Sequence, residues 1–180
     1  GFTLASKSGI WASVSADLRS KAIISVVLSM LGVSAYLALR FDFRFSGAAT
    51  VATLHDVLAV LGICWLAGKE INLLIITALL TLAGYSLNDT VVIFDRIREN
   101  MHKEEAGSFY QIINDSINQV LGRSFITGLS VLFCLTSLFF FGGATLHDFS
   151  FALLVGMAVA FFSSVFVASP LLVLQGDHTK

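Results

Sequence analysis

Charge is scarce in this sequence: only 13% of its 180 residues are Asp, Glu, Lys or Arg, about half the usual share of a soluble domain. With 56% hydrophobic residues, what remains cannot cover a water-facing surface, so much of the chain has lipid as its solvent. A single proline, Pro170, excludes Pro-rich and collagen-like chains. The two cysteines, Cys64 and Cys134, lie inside apolar runs where small hydrophobes pack, which excludes a disulfide framework. A net charge of −1 and the lack of any long basic stretch leave no footprint for nucleic acid. No Gly-rich phosphate loop, metal-spaced Cys/His cluster, HExxH or GxSxG occurs. Neither enzyme chemistry nor a cofactor or metal is expected.

Long apolar runs are what the chain does have. A helix needs about 17–25 residues to cross a bilayer, and runs over 22–39, 46–67, 71–94, 124–141 and 149–174 meet that length. The fold class expected is all-α and polytopic, with five transmembrane helices. Short connections make consecutive spans antiparallel neighbours. Near the span ends, Arg40, Arg44, Arg96, Arg98, Lys103, Arg123 and Lys180 collect on one side, against Lys69 and the arm residues Lys7, Arg19 and Lys21 on the other. This bias puts the loop 95–123 and the C-terminal tail 176–180 in the cytoplasm and the arm outside. Gly1 to Ser20 lacks the layout of a signal peptide, and reads as the tail of something larger preceding a transmembrane domain over 21–175.

Within the loop, Phe109, Ile112, Ile113, Ile117, Val120 and Leu121 form one helical stripe after a Ser108/Gln111 capping-box pattern. An amphipathic cytoplasmic helix between the third and fourth spans is expected. On the last span, Ala152, Gly156 and Ala160 form a small-residue stripe that favours close helix packing. Ser169-Pro170 is expected to kink or end that span.

A charge at the bilayer centre costs at least about 2.5–3.5 kcal/mol, so each intramembrane charge needs a partner, water or a task. Asp56, beside His55, lies near the middle of the second span. It serves either as a proton relay or as an interhelical hydrogen-bond node. Asp89, flanked by Ser86 and Asn88, lies in the third span about 9 Å below the cytoplasmic face at 1.5 Å per residue. Arg123 opens the fourth span on that same side, within reach of Asp89 in an antiparallel pair. The two residues suit a switchable proton-coupling pair, in which moving the arginine alters the carboxyl group's hold on its proton. They equally suit a static ion pair locked with Asn88 and Ser86.

The runs Thr53-Leu54-His55-Asp56-Val57, Glu70-Ile71-Asn72-Leu73 and Gly84 to Asn100 resemble the SecF-type subunits of bacterial protein export, as does Ser116 to Ser124. The likeness spans nearly the whole chain from about residue 17 on and places it in the resistance-nodulation-division superfamily, at spans two to six. It implies that residues 1–20 end a truncated periplasmic domain, and that the setting is the bacterial inner membrane. It further implies SecD, SecYEG and YajC as partners, a preprotein handled through the missing domain, and use of the proton-motive force. Asp89 and Arg123 match the proton-coupling residues of those subunits, with His55, Asp56, Ser86 and Asn88 as supporting polar groups. The alternatives are a small-solute/proton antiporter of the same superfamily and a purely structural membrane subunit.

Overall fold

A computed structural model describes residues 3–41, 43–103 and 108–176, with side chains outside 3–19, 22, 145, 175 and 176. The chain is helical almost throughout: α1 (Thr3–Arg40), α2 (Phe43–Leu66), α3 (Leu73–Lys103), α4 (Phe109–Phe141) and α5 (Gly143–Ser163). A π-helical turn over Ser164–Ala168 then leads into α6 (Ser169–Gly176). Five helical stretches are long and apolar enough to cross a membrane: Ile23–Arg40, Phe43–Leu66, Leu73–Lys103, Phe109–Phe141 and Leu146–Leu174. The chain is a multi-pass membrane protein. Residues 177–180 of the expected tail, with Lys180, and residues 104–107 of the loop lie outside the described residues.

Three helices outrun the expected spans most, and α1 does so by starting at Thr3 rather than near residue 22. α3 continues past residue 94 to Lys103, and the amphipathic stripe from Phe109 is the first half of α4 rather than a separate helix. Nothing in Leu121-Gly122-Arg123 breaks the backbone ladder, so the helix persists where the hydrophobic pattern changes. Ser108 does stand at the N-cap with extended backbone, and Gln111 Oε1 accepts its N–H at 3.3 Å, as the capping pattern implied.

The turns follow from local chemistry. α2 ends on Gly68 at φ 68°, with Gly68 N–H donating to Trp65 O and Lys69 N–H to Cys64 O, both at 3.0 Å, a Schellman closure that glycine allows without strain. Asn72 caps α3 by accepting the Ile75 N–H at 3.0 Å. α4 turns into α5 over Gly142-Gly143. Gly143 has φ 72°, and a Cβ on Gly142 would collide with the Leu138 carbonyl. Pro170 offers no N–H, and the chain passes it through the π turn, where Ser169 Oγ donates to Ser164 O at 3.1 Å. The last span therefore continues through Pro170 instead of stopping there.

α3 and α5 form the centre, with α2 beside them, while α1 and α4 stand at the periphery and expose broad apolar faces. Ala152, Gly156 and Ala160 are buried against α3, where Leu82 touches the site of the missing Gly156 side chain. The interior divides into two apolar clusters. One gathers Leu37, Phe45, Phe94, Ile97 and Leu172 at the arginine-bearing end; the other gathers Val60, Ile75, Leu82, Leu135 and Met157 at the opposite end. Between them runs a belt of buried polar groups, including Thr53, Asp56, Ser86, Asp89, Thr90, Ser163 and Ser164.

Candidate functional site: a buried polar belt

Asp56 sits midway along α2 with none of its surface exposed. Its Oδ2 accepts the Ser86 hydroxyl of α3 at 2.5 Å, and its Oδ1 lies 3.2 Å from Nδ1 of the half-exposed His55. The structure thus joins three of the residues singled out from sequence, His55, Asp56 and Ser86, into one cluster. Thr90, a turn beyond Ser86, is buried and donates back to the Ser86 carbonyl at 3.1 Å.

Asp89 lies on the side of α3 that faces α4 and is 6% exposed. The Ser124 hydroxyl stands next to its carboxyl group without completing a well-formed hydrogen bond, and it is buried with no other partner among the described residues. Ser163 Oγ, in the same belt, is likewise buried and unpartnered. Asp89 and Tyr85 form the polar end of a cleft of about 180 Å³ between α3, α4 and α5, whose other walls include Phe125, Leu129, Leu132 and Met157. The Phe125 and Phe161 rings meet edge to face across it, 6.2 Å between centroids.

Two expected members stand apart. Arg123 precedes Ser124 in the chain, so its backbone is within a turn of the level of Asp89, but its side chain is exposed. Among the described residues it makes no ion pair. The locked Asp89–Arg123 pair, one of the two arrangements expected from sequence, is therefore absent from this structure. Asn88 is exposed as well, because one residue along a helix turns about 100° away from Asp89. Ser86 bonds to Asp56 rather than to a network around Asp89.

Sequence reasoning missed a second polar assembly, at the arginine-bearing end. Buried Asn100 Nδ2 donates to Ser116 Oγ at 2.8 Å and to Gln119 Oε1 at 3.0 Å. Gln119 Oε1 also accepts Arg96 Nε at 2.5 Å, and Arg96 reaches Glu99 at 2.5 Å. These bonds clasp the end of α3 to the first turns of α4. The Arg96–Glu99 pair lies within α3, and it is Arg96 and Asn100 that reach α4. At the other end, Lys69 Nζ pairs with Asp148 Oδ1 at 2.7 Å, tying the α2–α3 turn to the start of α5. No group of three or more His, Cys, Asp or Glu side chains suited to a metal occurs among the described residues.

The family profile described as protein export membrane protein SecD/SecF, C-terminal, matches residues 2–178. The chain is 50% identical over 163 residues to a protein translocase subunit SecF of Thermodesulfovibrio yellowstonii, covering 89% of this chain and 54% of that protein. It is 45% identical over 170 residues to the SecF subunit of Thermobaculum terrenum, with 89% and 54% covered. Among solved structures it is similar to a Thermus SecDF, described as a translocon-associated membrane protein. That match has a TM-score of 0.86 and 39% identity over 89% of this chain and 22% of that one. A SecDF in a super-membrane-facing form gives a TM-score of 0.84 at 40% identity, with the same coverage. The chain thus spans about half the length of the curated relatives it matches.

Proposed function

The chain belongs to the SecD/SecF family of protein export membrane proteins, and on that footing we propose that it is the membrane-embedded half of a SecF-type auxiliary translocase subunit. In this reading it sits in the bacterial inner membrane with its C-terminus in the cytoplasm and works with a SecD partner beside the SecYEG channel, with YajC as a further associate. It uses the proton-motive force to assist preprotein export. Asp89 is the proton-binding group and Arg123 the cation whose approach changes the carboxyl group's hold on that proton.

The observation that carries the reading is a nearly buried carboxyl group inside a membrane-spanning helix, paired with no cation among the described residues. A charge so placed is costly unless it has a task or a partner, and proton uptake and release at that depth is a task. Arg123 lies on the neighbouring helix, one residue from the serine that stands against Asp89. A modest rotation of α4 brings the guanidinium to the carboxylate, which supplies the two states with different proton affinity that coupling requires. The exposed arginine weighs against a static scaffold built on this pair. No catalytic chemistry is assigned to the chain.

The subunit reading is tested by complementation. Cells depleted of their own SecF-type subunit are given the full-length protein that contains this chain, and secretion of a preprotein is followed by pulse-chase. Restored secretion that depends on co-expressed SecD is the expected result. Full membrane assembly with no recovery of secretion would overturn it.

A further inference from the structure

Asp56 is more deeply buried than Asp89, yet the coupling described above gives it no part. Its carboxylate is engaged by one residue of another helix, Ser86, and this is the only side-chain hydrogen bond joining α2 to α3 among the described residues. Other contacts between the two helices include apolar ones, such as the cluster that holds Val60, Cys64, Ile75 and Ala78, and Phe45 edge-on to Phe94 at 5.2 Å. Apolar surfaces of this kind repack at modest cost, whereas a buried carboxyl group that loses its one donor from another helix, keeping only its sequence neighbour His55, does so at a larger one. The Asp56–Ser86 bond therefore sets the rotation and axial register of α3 against α2.

Ser34, Ser46 and Thr50 bond across the contact of α1 with α2, and Ser116 accepts Asn100 between α3 and α4, but between α2 and α3 Ser86 is the one hydroxyl that crosses among the described residues. Thr53, Thr77, Thr81, Thr90 and Thr136 all turn back to the carbonyl four residues earlier in their own helix. Ser86 instead points across the interface to Asp56. Three residues on, about 4.5 Å along α3 and 60° around it, stands Asp89, facing Ser124 of α4.

We propose that Asp56 is a positioning residue for Asp89: through Ser86 it holds α3 at the rotation that presents the Asp89 carboxyl group to Ser124 and to the cleft between α3, α4 and α5. The proposal rests on the reading of Asp89 as the coupling acid, and it assigns Asp56 an orienting task instead of a proton-carrying one. Asn at position 56 keeps an acceptor for Ser86, so Asp56→Asn preserves function. Asp56→Leu and Ser86→Ala remove the bond.

The test uses the full-length protein with its SecD partner in lipid vesicles and has two readouts. The first is geometric: with Cys64 and Cys134 replaced by alanine, the disulfide yield between Asp89→Cys and Ser124→Cys reports whether α3 still faces α4. The second is the gain in preprotein translocation from an imposed proton gradient, read in the native-cysteine protein. Asp56→Asn is expected to leave both within error of the parent. Asp56→Leu and Ser86→Ala are expected to lower both several-fold, and the double variant to be no worse than either single one, since all three lose the same bond. If Asp56→Leu fails to assemble with its partner, Ser86→Ala, which removes one oxygen atom, carries the test.

Unchanged yield and unchanged gain in Ser86→Ala, with the gain abolished in Asp89→Asn, would overturn the positioning role and leave Asp89 as the coupling acid. A gain that survives Asp89→Asn would instead bring down the coupling reading, and the disulfide yield alone would then decide whether Asp56 orients α3. Loss of both readouts in Asp56→Asn would overturn the orienting role, since the acceptor is still present.

Discussion

Gly156 of α5 lies so close to Leu82 of α3 that a Cβ added there would stand 2.7 Å from Leu82 Cδ2 and 3.2 Å from its Cγ. Contact with the branch point as well as the methyl groups means that a small χ rotation of Leu82 does not clear the space. The two central helices therefore depend on the absence of a side chain at this position, as in other small-residue membrane contacts. Gly156→Val is expected to cost about 1–3 kcal/mol through overpacking, read as a lower unfolding midpoint of the detergent-solubilised protein. The double variant Gly156→Val/Leu82→Ala is expected to recover part of that loss. An unchanged midpoint in the single variant would show that α3 and α5 separate more readily than their packing indicates.

Gln119 Oε1 receives both Asn100 Nδ2 and Arg96 Nε. Gln119→Ala removes that shared acceptor and takes one of two partners from the buried Asn100 amide, for which about 1–3 kcal/mol is expected. Hydrogen exchange of the α3 C-terminal turns and the first turns of α4 is expected to rise together, because the clasp joins them. Gln119→Glu keeps an acceptor and is expected to retain most of the protection.

Lys69 and Asp148 pair at 2.7 Å, but their side chains keep 24% and 32% of their surfaces exposed. Lys69 Nζ also stands 5.4 Å from the centre of the Phe151 ring. A pair this accessible to water and salt is worth about 0–1 kcal/mol. Asp148→Asn is accordingly expected to shift stability only slightly, and the shift is expected to shrink as salt rises. A coupling energy well above that range in a Lys69→Met/Asp148→Asn double-mutant cycle would show that the α2–α3 turn and the start of α5 close into a site shielded from solvent.

Much of the fold was readable in the sequence because lipid imposes a simple rule: each span must be long, apolar and internally hydrogen-bonded. The five runs each fall on helices, and Gly156 in its small-residue stripe marked a close helix contact. Helix ends were less legible, because hydropathy reports where lipid stops, whereas the α1, α3 and α4 backbones run on past that point. The stripe from Phe109 looked like a separate element for that reason. Asp56 and Asp89 were identifiable as costly intramembrane charges. Of their partners only His55, next to Asp56 in the chain, was, since Ser86 meets Asp56 from thirty residues away through a register set by packing of α2 on α3. The outward side chain of Arg123 is likewise a product of tertiary packing, whereas the turn of Asn88 away from Asp89 follows from helix periodicity alone.

The central claim is that Asp89 is a working proton site, and the most direct measurement compares Asp89→Asn with the parent in vesicles holding the full-length protein, its SecD partner and the SecYEG channel. The substitution keeps the size and polarity of the side chain and removes its titratable proton. The expected result is that the boost a proton gradient gives to preprotein translocation disappears while the complex stays assembled and translocation without the gradient is unchanged. A boost that persists in full in the assembled Asp89→Asn complex would contradict the claim and leave Asp89 a structural member of the polar belt.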